Sequence, residues 1–224
     1  MLQFFAKFKF FGIVLAILSV IIIFSIYSVL KPEVRLKVYQ PVDFTAEVVD
    51  TTIQHVKKYH TIANFSLTNQ DGKTITQKDY DGTIYVADFF FTTCQTICPI
   101  MTDNMVRIQK ELRDDPMVKL LSHSVTPEID TVAQLKKYAL EKGVDGSKWN
   151  LVTGDRKQIY DLARKSYLAV KDYPDSQPYG MIHTENFVLV DTKKRIRGIY
   201  DGTNSEEIDQ LLKDISILKE EKVK

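Results

Sequence analysis

The stretch IYVADFFFTTCQTICPIM, residues 84–101, decides how this chain is read. Its first part, Ile84–Phe91, is apolar on both faces apart from Asp88. Such a run is what a central strand looks like when helices cover both sides of its sheet. The second part holds both cysteines of the chain, Cys94 and Cys98, with Pro99 directly behind them. Met101, Met105, Ile108 and Leu112 then recur at helical spacing, so Pro99 falls in the first turn of a helix, where its missing N–H does little harm. The thiols therefore stand where a central strand hands over to a helix, the place where open α/β sheets build their sites.

That position favours chemistry without choosing it. A thiol at a helix N-terminus feels the positive end of the dipole, and the thiolate so favoured both attacks disulfides and binds metals. One helical turn apart, Cys94 and Cys98 can converge on one ion or close a disulfide. A staple across so short a loop would stabilise a domain little. Dithiol oxidoreductases of the thioredoxin type use C-x-x-C, whereas C-Q-T-I-C has one residue more. Two soft thiolates suit Cu(I), and zinc would need two further ligands. On spacing alone a metal site, a redox couple and a pair of buried thiols all stay open.

Further along, Ile62–Leu67 and Thr74–Thr76 read as strands around the turn Asn69-Gln70-Asp71-Gly72. Val118–Val125 reads as a second central strand. Thr126-Pro127-Glu128 matches the N-cap and first turn of a helix carrying Val132, Leu135 and Ala139. Asp155 with Gln158 resembles a capping box for another helix, with Ile159, Leu162 and Ala163. Phe187–Val190 and Ile196–Tyr200 form a hairpin around Asp191–Lys194. Thr203 with Glu206 opens a last helix bearing Ile208, Leu211, Leu212, Ile215 and Leu218. Phe89, Phe90, Phe91 and Trp149 read as core, as do Met101 and Met105. This order implies an α/β, thioredoxin-like fold: a central mixed sheet flanked by helices, spanning 56–218, with 219–224 as a solvated tail.

Residues 10–30, FFGIVLAILSVIIIFSIYSVL, carry no charge and are about as long as a helix that crosses a bilayer. The run exceeds the apolar core of a cleaved signal peptide and no A-x-A-like site follows it. It reads as one transmembrane signal anchor, with 1–9 as a short tail and 31–55, containing Pro32 and Pro41, as a tether. Lys7 and Lys9 before it and Lys31, Arg35 and Lys37 after it leave orientation undecided by charge. Across the chain 30 basic side chains meet 29 acidic ones, so no basic surplus points to nucleic acid.

Four histidines could add a ligand. His55 and His60 lie in or near the tether and read as solvated, and His123, inside a strand, reads as a hydrogen-bonded core residue. His183 differs, because it follows a Pro/Gly-containing loop in PYGMIHTENF, just before the hairpin. In a thioredoxin-like sheet that loop lies against the cysteine-bearing helix start, and a neutral imidazole there suits a Cys2His site.

FFFTTCQTICP, SVTPEID, WNLVTGD and IHTENFVLVD together resemble the Sco/SenC family of membrane-tethered thioredoxin-like proteins, over about residues 60–200, and NFSLTNQDGKTIT fits its opening. The resemblance implies a copper site of Cys94, Cys98 and His183, for Cu(I) and secondarily Cu(II). It implies a single-pass protein of the cytoplasmic (inner) membrane with its soluble domain on the extracytoplasmic, periplasmic side. It implies, too, a copper chaperone that serves the copper-site subunit of a haem-copper (cytochrome c) oxidase, fed by an upstream copper donor or thiol reductant. The enzymatic alternative is a thiol–disulfide oxidoreductase acting on the oxidase cysteines, with Cys94 and Cys98 as its redox pair, Cys94 attacking and His183 dispensable. One departure stands out: Thr126 replaces the first aspartate of the family's V-D-P-E-x-D. Asp88 is either a proton relay to the thiols or a structural hydrogen-bond acceptor.

Overall fold

The computed structural model describes residues 9–30, 35–44, 50, 52–169 and 184–223, and His183 lies outside them. Two units are present, 1–35 and 36–224. In the first, helix α1 (Lys9–Leu30) runs 22 residues. Its side chains are described for Lys9 and 11–27, and Phe11, Phe24 and Tyr27 among them are well exposed. Among these described residues no helix is long and apolar enough to cross a membrane.

In the second unit, strands β1 (Ser66–Asn69), β2 (Thr74–Thr76), β3 (Ile84–Phe90), β4 (Val118–Ser124), β5 (Trp149–Thr153), β6 (Asn186–Val190) and β7 (Ile196–Asp201) form one sheet, in the order β2-β1-β5-β4-β3-β6-β7. β3, β4 and β5 are parallel, in register Ile84↔Val118 and Leu120↔Trp149; every other pairing is antiparallel. Every residue of β3 is buried, as its unbroken apolar run requires. Helices α2 (Ile97–Glu111), α3 (Val132–Lys142) and α5 (Ser205–Val223) bury Met101, Met105, Leu135, Ile208, Leu211 and Ile215 against one face. Helix α4 (Arg156–Asp161) and the π-turn Leu162–Ser166 that continues it cover the other. The central mixed sheet between helices is as the sequence predicts.

Several boundaries differ from the sequence reading, each for a local reason. The first strand starts at Ser66, although Ile62 and Phe65 ahead of it are core. Trp149–Thr153 adds a strand the periodicity did not separate from its neighbours. Helix α3 starts after Thr131, whose hydroxyl accepts the Gln134 N–H, five residues beyond the expected Thr126 cap. The cap of α5 is Asn204, whose Oδ1 accepts the Glu206 N–H at 2.9 Å. Asp155 does cap α4, accepting the Gln158 N–H at 2.7 Å, but the Gln158 side-chain Oε1 accepts the Ser66 N–H at 3.0 Å instead of closing a box.

Both ends of this unit depart from the expected tether and tail. Tyr39 N–H donates to the Ile196 carbonyl at 2.9 Å, Pro41 is buried, and Tyr39 and Phe44 pack on the core. Instead of a solvated 219–224, α5 continues to Val223. The reason is Arg197 of β7, whose side chain is 3% exposed. Its guanidinium donates to Asp191 at 3.0 Å, to Glu221 at 2.7 Å and to the Leu36 and Lys37 carbonyls at 2.8 and 3.2 Å. A buried cation needs such partners, and they come from both ends of the domain.

Candidate metal and thiol site

β3 ends at Phe90, and the turn through Thr92 and Thr93 delivers Cys94 to the N-terminus of α2. Thr96 is the N-cap residue of α2 yet makes no side-chain cap. The place is taken by Cys94 Sγ, which accepts the backbone N–H of Cys98 at 3.4 Å and lies 3.7 Å from the Thr96 hydroxyl. The sulfur thus satisfies an orphan donor of the helix first turn. Cys94 is half-buried, whereas Cys98, one turn into the helix, is 3% exposed. Both are free thiols.

Their environments pull the two thiols apart. Burial alone would raise Cys94, but hydrogen bonds from the Cys98 thiol, the Thr96 and Cys98 N–H groups and the Thr96 hydroxyl outweigh it and bring it down to about 7. Burial pushes Cys98 up to about 12, and donation to Cys94 holds its proton in place. Near neutral pH the pair therefore carries its charge on the accessible sulfur and its proton on the hidden one. That makes Cys94 the nucleophile and the first atom to meet a soft cation.

Asp88 lies on the same face of the sheet as Cys98 and is 3% exposed. Ser122 Oγ donates to Asp88 Oδ1, and Trp149 Nε1–H donates to Ser122 Oγ at 2.8 Å. Burial raises this carboxyl to about 7, against the pull of the Ser122 hydroxyl. The bonding is that of a structural acceptor, and its charge, when present, disfavours a thiolate at Cys98.

Of the other sequence candidates, Met101 and Met105 are wholly buried in the core beneath α2. His123 is core, as expected, but only half satisfied: Nδ1 lies 3.3 Å from the Asp88 carbonyl and Nε2 has no partner among the described residues. His60, expected to be solvated, is half-buried, with Nε2 at 2.8 Å from the Ser166 carbonyl. Among the described residues no three of His, Cys, Asp and Glu gather as a metal would require. The structure thus brings Cys94 and Cys98 together, and a third ligand would come from outside the described residues. What it does describe is the base of the segment holding His183: Thr184 Oγ1 and Asn186 Nδ2 both donate to the Ala169 carbonyl, at 2.7 and 3.0 Å. The pairing Ala87↔Val188 starts β6 at the same end of the sheet where β3 delivers Cys94. Sequence reasoning placed Asp130 at the close of the SVTPEID stretch but gave it no role; it lies in the turn between β4 and α3.

A sheet of this order with free thiols at the strand-to-helix junction defines a thioredoxin-like protein. The sequence model of the SCO1/SenC family matches residues 53–219, and the chain belongs to that family. The SCO1 protein homolog of Bacillus subtilis is 35% identical over 153 residues, 67% of this chain and 79% of that one. BsSco, described as a member of the Sco family of cytochrome c oxidase assembly proteins with a disulfide switch, superposes with a TM-score of 0.61 at 33% identity, over 71% of this chain and 93% of its own. Arabidopsis thaliana ScoI, solved with copper bound, superposes with a TM-score of 0.55 at 26% identity, over 69% and 97% of the two chains.

Proposed function

We propose that this protein is a copper chaperone of oxidase assembly, in which Cys94 and Cys98 hold the metal and His183 completes the site. The observation that carries the reading is the Cys94 sulfur, half-exposed and capping α2, its pKa drawn down to about 7 by the donors around it, with Cys98 directly behind it. Two sulfurs suit Cu(I), and the base of the 170–183 segment lies at the right end of the sheet for an imidazole to join them. Copper is the cargo. It would leave by ligand exchange, the cysteines of the oxidase copper-site subunit displacing Cys94 first, since that sulfur is accessible, and Cys98 second. An upstream copper donor or thiol reductant supplies the loaded or reduced form. Helix α1 serves as a single-pass anchor in the cytoplasmic membrane with the domain on its extracytoplasmic side. What supports this is the sequence, where residues 10–30 carry no charge over about the length a bilayer-crossing helix needs.

The test is an anaerobic Cu(I) titration of the full chain in detergent against a competing chelator. One copper per chain is expected, lost in Cys94→Ser and Cys98→Ser. His183→Ala should weaken binding by about tenfold or more, that is by at least about 1.4 kcal/mol. Affinity unchanged in all three variants would sink the reading.

A second reading, thiol–disulfide exchange with the oxidase cysteines, is favoured by the asymmetry of the pair, a thiolate in front and a protonated thiol behind. There Cys94 attacks a target disulfide, Cys98 resolves the mixed disulfide, and His183→Ala leaves the exchange rate unchanged.

A further inference from the structure

Asp130 is fully buried, yet no part of the function described so far uses it. Three hydroxyls converge on its carboxylate. Thr92 Oγ1 donates to Oδ1 at 2.6 Å, while Ser124 Oγ and Thr126 Oγ1 donate to Oδ2 at 2.6 and 3.0 Å. The Thr92 N–H points at both oxygens, at 3.3 and 3.4 Å. Gln134 of α3 donates to the Thr92 hydroxyl at 3.0 Å. One carboxylate therefore ties the turn after β3, the end of β4 and the turn before α3 to each other. Removing a buried acceptor of this kind orphans its donors, and charge-assisted bonds are the ones whose geometry is held most tightly.

We propose that Asp130 is the positioning residue of Cys94: through Thr92 it fixes the two-residue turn that sets the Cys94 sulfur on the first N–H groups of α2. Between the Asp130-bound Thr92 and Cys94 there is only Thr93, and the Cys94 N–H reaches back to the Phe91 carbonyl at 3.3 Å, so the turn has one anchored end on each side. If Thr92 swings free, the turn keeps only the Cys94 N–H bond to Phe91 and the Thr96 hydroxyl at 3.7 Å to hold the sulfur at 3.4 Å from the Cys98 N–H. Thr126 fits the same arrangement. Its oxygen is 3.0 Å from Asp130 Oδ2, a distance at which a hydroxyl donates and a second carboxylate would repel. In this chain position 126 supports Asp130. The inference rests on Cys94 being the working thiol.

The experiment is the rate of Cys94 alkylation by iodoacetamide at pH 7 in the full, reduced chain, with the modified residue identified by mass spectrometry. Asp130→Asn keeps the volume and weakens the anchor, while Thr92→Val cuts the arm that leads to Cys94, together with the Gln134 bond to the same hydroxyl. Each is expected to slow alkylation by about tenfold, the equivalent of one lost hydrogen bond, and the double variant to be no slower than either single one. Tyr138→Phe, which removes the bond to the Thr102 hydroxyl in the α2–α3 layer, should lower the melting temperature and leave the rate alone. Rates within twofold of wild type in Thr92→Val and Asp130→Asn, with only the melting temperature reduced, would overturn the positioning role while leaving Cys94 as the working thiol. A wild-type Cys94 no faster than an unperturbed peptide thiol would overturn both. Should Asp130→Asn fail to fold, Thr92→Val decides alone.

Discussion

On the face of the sheet beneath α2, Asp88 is buried with a hydroxyl donor, and that donor is held in turn by Trp149. On the opposite face, one strand over, His123 is buried among Phe65, Phe89 and Tyr167, stacked on Phe89 at 4.8 Å, with one ring nitrogen bonded to a carbonyl and the other without a partner among the described residues. The two positions are neighbours in register, since Phe89 pairs with His123 and Asp88 with Ser122. Both side chains are driven to their neutral forms, but the protons go opposite ways. Burial raises the Asp88 carboxyl to about 7 and lowers the His123 imidazole to about 4. The face that carries Cys98 holds a carboxyl within its apolar shell; the other holds an imidazole among aromatic rings.

These shifts make opposed contributions to stability in nearly the same pH range. Asp88 keeps its proton longer in the folded chain than in the unfolded one, so its contribution is complete below pH 3.8 and is lost as pH rises through about 7. His123 takes its proton later in the folded chain, so its contribution is complete above pH 6.5 and is lost as pH falls through about 4. Between these limits the two slopes offset each other, and wild-type stability should vary little from this pair.

The comparison can be broken from either side. Asp88→Asn, which keeps an acceptor for Ser122, should leave only the histidine slope. From pH 4 to 8 its stability relative to wild type should then improve by on the order of 4 kcal/mol, read from urea midpoints across that range. His123→Phe should leave only the carboxyl slope. Its advantage over wild type should grow by on the order of 3 kcal/mol as the pH falls from 7 to 4. Variants whose pH profiles stay parallel to wild type would show that these groups are not held neutral. Trp149→Phe sharpens the contrast on the polar face alone. Losing the Nε1–H bond to Ser122 should cost about 1 kcal/mol in thermal unfolding, with no change in the histidine-dependent acid limb.

The parts of this molecule legible in the sequence are those in which one residue type meets one local demand. Ile84–Phe90 is apolar but for Asp88 because β3 has no solvent face. Pro99 follows the cysteines because the first turn of a helix tolerates it. The hairpin around Asp191–Lys194 needed only turn chemistry. Elements that tertiary partners define were harder to read. Thr126-Pro127-Glu128 carries every mark of a helix start, but its hydroxyl is turned inward to Asp130, so the helix begins at the next threonine that is free to cap. Trp149–Thr153 is short and carries a polar residue at Asn150, which bonds Asn69 and Tyr80 across the sheet. The charges of 219–224 looked solvated because the cation that Glu221 meets is 24 residues away in β7. At the site, spacing brought the thiols together, but the difference between them depends on burial and on a backbone N–H.

The Arg197 cluster has a topological consequence. Leu36 N–H donates to Glu221 Oε1 at 2.9 Å, so the first and last parts of the domain meet at one point, 185 residues apart along the chain. Residues 36–221 are in effect a closed ring. A circular permutant with its ends joined there and reopened at the exposed turn around Gly82 should therefore still fold.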